Sequence, residues 1–214
     1  MTTPTHSDKK YIEIVEHYES CLAKHGDTHL GVDWPKSQDA QTRYRVMLEV
    51  IRSLRPPVVK LLDFGCGASH LYEYILANDI GGIDYIGLDL SPKFVELSRK
   101  KFPKNRYICA DILEDPDAVP ASEYIVMNGV FNEKRGLTFD EMLAYFERTL
   151  TAVFAKAQRG IAFNVMSKHL DWEREDLFHL PFDTLARFLI GALTRNFIIR
   201  NDYGLYEYTT YVYR

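Results

Sequence analysis

An apolar run closing in Leu61-Leu-Asp-Phe-Gly-Cys-Gly-Ala-Ser-His70, followed by Tyr85-Ile-Gly-Leu-Asp-Leu90, constrains this chain more than any other stretch. It reads as a strand, a glycine turn that opens a helix, and a second strand ending in an acid. Gly65 and Gly67 let the backbone turn sharply and approach a ligand with no Cβ in the way. Asp89 is placed to accept hydrogen bonds from ribose hydroxyls. The ligand implied is a nucleoside.

Spacing narrows the choice. A dinucleotide fingerprint needs Gly or Ala at position 70, where the helix packs closely on the strand, and His70 stands there. The alternative frame, acid-x-G-x-G-x-G, starts at Asp63, matches at Gly65 and Gly67, and has Ser69 in place of the last glycine. Ser91 and Pro92 then supply a helix cap and a first-turn proline. A third strand through Arg106-Tyr-Ile-Cys-Ala-Asp-Ile112 ends in an acid, and a fourth, Glu123-Tyr-Ile-Val-Met-Asn-Gly129, ends in Asn-Gly. Polar residues at successive strand ends are expected of a ligand site, because open α/β sheets bind outside their carboxyl edges.

This pattern resembles motif I and the following strands of the class I S-adenosylmethionine-dependent methyltransferases, small-molecule type. The resemblance covers roughly residues 58 to 214. It implies an α/β fold with a Rossmann-like, seven-stranded, mostly parallel sheet, a C-terminal antiparallel hairpin and a helical N-terminal extension. It also implies S-adenosylmethionine as cofactor. Asp63, Gly65, Cys66 and Gly67 would form the glycine turn, and Asp89 and Leu90 would meet the ribose. Asp111 and Ile112 would flank the adenine, and Asn128 would lie near the methyl donor.

The rest of the chain fits that architecture. Thr138 and Glu141 form a capping box ahead of a helical stripe from Phe139 to Phe154. Gly160 to Val165 reads as a fifth strand, and two strands around Gly204 read as the hairpin. With 214 residues, 46% of them hydrophobic, one substantial core suffices. The net charge of −4 argues against a nucleic-acid partner, since phosphate binding rests on clustered Lys and Arg. Cys21, Cys66 and Cys109 form no C-x-x-C pair, which fits neither a disulfide framework nor zinc-ligand spacing and suggests a reducing, cytoplasmic setting. No apolar run approaches the about 18 residues of a membrane span, and the N-terminus lacks a leader-like apolar region. The chain therefore reads as soluble and unprocessed, with no metal site, and nothing in it addresses oligomeric state.

Two prolines, Pro56 and Pro57, divide the chain into a helical extension, residues 1–57, and the core domain, residues 58–214. The extension carries two amphipathic helices joined by a connector, residues 25–34, holding two His, two Asp, two Gly and Trp34. In the resembled family such extensions cover the cofactor. By that analogy Trp34 would shield it and Arg43 would pair with the methionine carboxylate. A second candidate lid, residues 166–182, leaves the carboxyl edge carrying His169, Asp171, Trp172 and His179. A hydroxyl acceptor profits from a base, whereas a neutral amine does not. His169 is the first candidate because it directly follows a strand end, with His25, Asp33 and His70 behind it. The expected reaction is methylation of a hydroxyl, or secondly an amine, on a small-molecule metabolite. The alternatives are a nucleic-acid or protein methyltransferase, or a cofactor-binding subunit without activity.

Overall fold

The apolar run before the glycine turn forms β1 (Val59–Phe64), and its alternating side chains explain why helices cover both faces of the sheet it joins. Leu62 and Phe64 enter one core together with Ile86, Leu88, Ile125, Met127, Ile161 and Phe163. Val59 and Leu61 enter the other with Tyr85, Tyr124, Val126 and Ala162. The computed structural model describes residues 9–52 and 58–214. The proline boundary at Pro56 and Pro57 lies outside the described residues.

β1 pairs in parallel with β2 (Ile83–Asp89) and β4 (Ser122–Met127), β2 with β3 (Arg106–Cys109), and β4 with β5 (Ala157–Ser167). A short strand, β6 (His179–Leu180), adds in parallel to the end of β5. β7 (Phe197–Arg200) and β8 (Glu207–Tyr213) make the antiparallel hairpin, with β8 against β5. The order β3-β2-β1-β4-β5-β8-β7 is the expected seven-strand path, and β6 lies off it as an eighth strand. That eighth strand exists because β5 runs on through Ser167. His179 Nδ1 then lies 2.7 Å from the Ser167 carbonyl, and its Nε2 accepts from the Arg174 amide at 3.3 Å. With Nε2 accepting, Nδ1 carries the proton, so His179 is a buried brace of the loop.

Helices α3 (His70–Ala77) and α4 (Pro92–Lys101) lie on one side. On the other are α5 (Phe139–Lys156) and α6 (Phe182–Phe188), the latter continued by a wider turn through Leu193. Ser91 Oγ caps α4 by accepting from the Phe94 amide at 3.3 Å, and Thr138 with Glu141 closes the capping box of α5. Phe146 on α5 meets Phe131 and Phe163 edge-on at centroid distances of 4.9 and 5.4 Å, the arrangement ring quadrupoles favour.

The extension divides between the two faces. Tyr11 and Ile14, at and within α1 (Ile12–His25), join the core beneath α5. Tyr44, Val46 and Met47 of α2 (Ser37–Leu48) join the core beneath α3 and α4. The connector between them, with a short 3-10 turn at His29–Val32, passes from one face to the other.

Inside β1, Asp63 is buried and accepts a hydrogen bond from the Tyr85 hydroxyl at 2.7 Å. Burial pushes its carboxyl up to about 7, against the Tyr85 hydrogen bond and with some help from Asp89. The native state therefore holds a proton that the unfolded chain releases near pH ~4. More protons bound in the native state mean that stability falls as pH rises from about 4 to about 7, then levels off. Asp63→Asn keeps an acceptor for Tyr85 and removes this contribution. Melting curves should show the variant gaining on the wild type between about pH 5 and pH 8. A constant difference across that range would contradict the assignment.

Candidate active site

The strand order reverses between β1 and β4, and the crevice outside their carboxyl ends is where an open α/β sheet binds ligands. The glycine turn is built there by backbone hydrogen bonds. The amides of Gly65 and Cys66 donate to the Leu88 carbonyl at 2.7 and 2.9 Å, and Gly67 N donates to Asp89 Oδ2 at 2.8 Å. Gly65 has φ 75°, and a Cβ there would lie 2.6 Å from Val130 Cγ2, so glycine is required on both counts. Ser69, in place of the third glycine, also takes the left-handed region at φ 60°. Its buried hydroxyl compensates, lying 2.8 Å from Ser98 Oγ and 3.1 Å from the Tyr107 hydroxyl.

Asp89 Oδ1 accepts from the Ser91 amide at 2.8 Å, so each carboxylate oxygen has one backbone donor and lone pairs to spare. Burial raises its carboxyl to about 6, opposed by the Ser91 and Gly67 amides. Burial also pushes the Cys66 thiol up, with Asp89 and Asp63 adding, so it stays protonated.

A largely apolar cavity opens at this turn. Trp34, Asp63, Gly65, Cys66, Gly67, Asp89, Leu90 and Asn128 all line it, which are eight of the positions singled out by sequence. Sequence reasoning missed Tyr11, Ile14, Val15 and Tyr18 from α1, together with Tyr145 from α5. Their helical spacing was visible, but it signals only an apolar stripe and not what the stripe covers. Tyr11 stacks on Tyr145 with centroids 4.6 Å apart.

The far wall is the Gly129 turn after β4. Asn164 Oδ1 accepts from Gly129 N at 2.7 Å, the Tyr18 hydroxyl donates to Gly129 O at 3.2 Å, and a Cβ at Gly129 would meet the Trp34 ring at 2.7 Å. Glu207, buried on β8, ties this wall to the extension. It accepts from Asn164 Nδ2 at 2.8 Å and, through both oxygens, from Arg43 Nε at 2.9 Å.

Of the eleven expected cofactor positions and the first base candidate, four fall outside the cavity. Arg43 was assigned a ligand carboxylate, but Glu207 occupies its Nε, its guanidinium lies 4.1 Å from the Trp34 ring centroid, and Nη1 is buried without a partner. Asp111 was assigned the adenine, but Oδ2 accepts from the Tyr11 hydroxyl at 2.6 Å and Oδ1 from the Leu113 amide at 2.9 Å. Ile112 is buried in the core beneath α5. His169 is exposed and stacks on Phe182 with ring centroids 4.9 Å apart. Of the remaining base candidates, His70 lines the cavity and pairs with Asp27 at 2.8 Å, while Asp33 pairs with His17 at 2.8 Å.

Comparison with known proteins gives the site its class. The methyltransferase domain family matches residues 62–153. Rv1506c of Mycobacterium tuberculosis, whose name calls it a methyltransferase, is 30% identical over 155 residues, spanning 70% of this chain and 90% of its own. The fold is shared with magnesium protoporphyrin IX methyltransferase from Synechocystis PCC 6803 with bound S-adenosylmethionine, at TM-score 0.64 and 15% identity over 100% of both chains. It is shared too with 1,6-didemethyltoxoflavin-N1-methyltransferase of Burkholderia thailandensis, solved with that substrate and S-adenosylhomocysteine. There the TM-score is 0.63 and identity 14%, over 100% of this chain and 93% of the other. Fold, glycine turn and sequence kinship together define a methyltransferase. The chain belongs to the class I S-adenosylmethionine-dependent methyltransferases, and S-adenosylmethionine is its cofactor.

The residues present fit that group. Asn128 Oδ1 is buried without a partner in the cavity wall, and Asp89 offers free lone pairs, so the wall presents acceptors to a ligand rich in hydroxyl and amine donors. If Asp89 holds ribose hydroxyls, Asp89→Ala should weaken S-adenosylhomocysteine binding roughly a hundredfold or more, since each hydrogen bond to a charged group contributes about 1.5–3 kcal/mol. Wild-type affinity should also fall below about pH 6, as protonation consumes the acceptor, approaching tenfold per pH unit. Calorimetric titration across pH checks both, and a pH-independent wild-type affinity would remove Asp89 from the interaction. For His169→Ala, turnover is expected within about threefold of wild type, because the ring lies outside the cavity. A fall of about 10²–10⁴ would return it to the mechanism.

Proposed function

We propose that this enzyme transfers the methyl group of S-adenosylmethionine to a hydroxyl, or secondly an amine, of a small-molecule metabolite in a reducing, cytoplasmic setting. The observation that carries this reading is the cover over the crevice. α1, the connector and Trp34 fold across the carboxyl edge of the sheet, leaving a cavity walled by side chains where a polymer would need an open face. The magnesium protoporphyrin IX and toxoflavin enzymes, whose substrates are small molecules, share the fold. A second hollow, on the outer side of α1, is bordered by Glu13, Glu16 and Asp176 against a single Arg135, a charge balance that repels nucleic acid. Among the described residues no helix is long and apolar enough to cross a membrane, and the three cysteines are unpaired.

The chain's contribution to the reaction is alignment. When bound, the cofactor supplies an electrophilic methyl group whose sulfonium charge is lost as the methyl leaves. In-line displacement of that kind rewards orientation above all. Asp89 would hold the ribose, the turn from Asp63 to Gly67 would admit the ligand close to the backbone, and Leu90 would pack against the nucleoside. Asn128 Oδ1 would accept from the methionine amine. Trp34 and Tyr18 would exclude water from the methyl-bearing end. In this reading no base is assigned, and an acceptor delivered as a neutral amine or an ionised hydroxyl needs none.

The test is S-adenosylhomocysteine release by the purified chain over a panel of metabolite fractions, with total RNA and denatured protein alongside. Stimulation by a low-molecular-weight fraction is expected. Stimulation confined to RNA or protein would overturn the small-molecule reading. Tight binding with no turnover in any arm would make the chain a cofactor-binding subunit.

A further inference from the structure

On the outer side of α1, away from the cofactor cavity, three side chains of different chemistry converge. His17 and Cys21 stand on successive turns of α1, and Asp33 follows the 3-10 turn of the connector with φ 56°. His17 Nε2 lies 2.8 Å from Asp33 Oδ2 and 3.8 Å from Cys21 Sγ, and the three donor atoms all fall within 4.8 Å of one another. None is fully buried.

The single nitrogen Nε2 faces both partners, so a proton donated to Asp33 at 2.8 Å leaves the thiol, 3.8 Å away, no more than a weak share of it. Negative potential accumulates at the same corner. Buried Glu133, paired with Arg135 at 3.1 Å, lies near both Asp33 and Cys21. A cation would satisfy all three donors at once.

We propose that His17, Cys21 and Asp33 bind a divalent transition-metal ion of the zinc class, clamping α1 to the connector. Imidazole nitrogen, thiolate and carboxylate are the donors such an ion takes. A tetrahedral zinc ion with usual bond lengths sets nitrogen and sulfur about 3.6 Å apart, and nitrogen and oxygen about 3.4 Å apart. The Cys21 separation already matches, and half-exposed Asp33 needs only a small rotation. Water takes the fourth position. Binding requires the thiolate and an imidazole with its proton on Nδ1, so one proton, from the Cys21 thiol, is released to solvent. Sequence spacing could not reveal the site, because only His17 and Cys21 are near in the chain and the third donor arrives through the fold. Asp33 immediately precedes Trp34, so the ion would fasten the connector next to the residue that covers Gly129.

The experiment is titration of the chelator-treated full chain with cobalt(II), read by thiolate-to-cobalt charge-transfer absorption. One equivalent should produce the band in wild type and in Cys109→Ser, and zinc(II) should displace it. Cys21→Ser, nearly isosteric, should abolish the band while the circular dichroism spectrum stays unchanged. Asp33→Asn should weaken cobalt binding by at least roughly tenfold, the lower end of what even an outer-shell partner contributes. No band in wild type, a band surviving Cys21→Ser, a band lost in Cys109→Ser, or full affinity in Asp33→Asn would each overturn the three-donor site.

Discussion

One carboxylate organises the ligand-binding edge of this protein. Asp89 accepts from the Gly67 amide with one oxygen and from the Ser91 amide with the other, so a single side chain at the end of β2 fixes both the glycine turn after β1 and the first turn of α4. Ser91 in turn caps α4 and donates to Glu19 Oε1 on α1 at 2.5 Å. The site is therefore held by a charged acceptor in a partly desolvated position, and the backbone amides oppose its protonation. Charge-assisted bonds of this kind are short and strong, and they give the turn one geometry.

The opposite wall follows a similar logic with different chemistry. Gly129 must let the Trp34 ring approach the backbone, and its amide and carbonyl are satisfied by Asn164 and Tyr18. Glu207 then joins Asn164 to Arg43 in a buried network whose charges are paired. Such pairs contribute little net stability, but removing one partner strands the other in a low-dielectric interior. The effect is to fix where the extension sits on the sheet.

These facts explain what the sequence disclosed. The glycine turn, Asp89, Asn128 and the caps at Ser91 and Thr138 were legible because each depends on neighbours a few residues away or on the end of a strand. The partners that Arg43 and Asp111 take within the fold, Glu207 and Tyr11, were not legible, because they lie 164 and 100 residues distant. His169 followed a strand end as expected, but β5 carries on through Ser167 and β6 turns the loop aside, so following the strand did not bring it to the cavity. The first helix of the extension was legible as amphipathic, and only the fold could say that its apolar face walls the cavity.

Because α1 is rooted in the core on one side of the sheet and α2 in the core on the other, the cover over the crevice is anchored at both ends. A cover of that kind has no free edge to swing. It can only slacken, by withdrawing Tyr11 and Ile14 from one core or Tyr44 and Met47 from the other, and such withdrawal is local unfolding. The residence time of a bound nucleoside would thereby be coupled to the cohesion of the hydrophobic interior, and substitutions remote from the ligand, in the roots of the strap, would become determinants of product release.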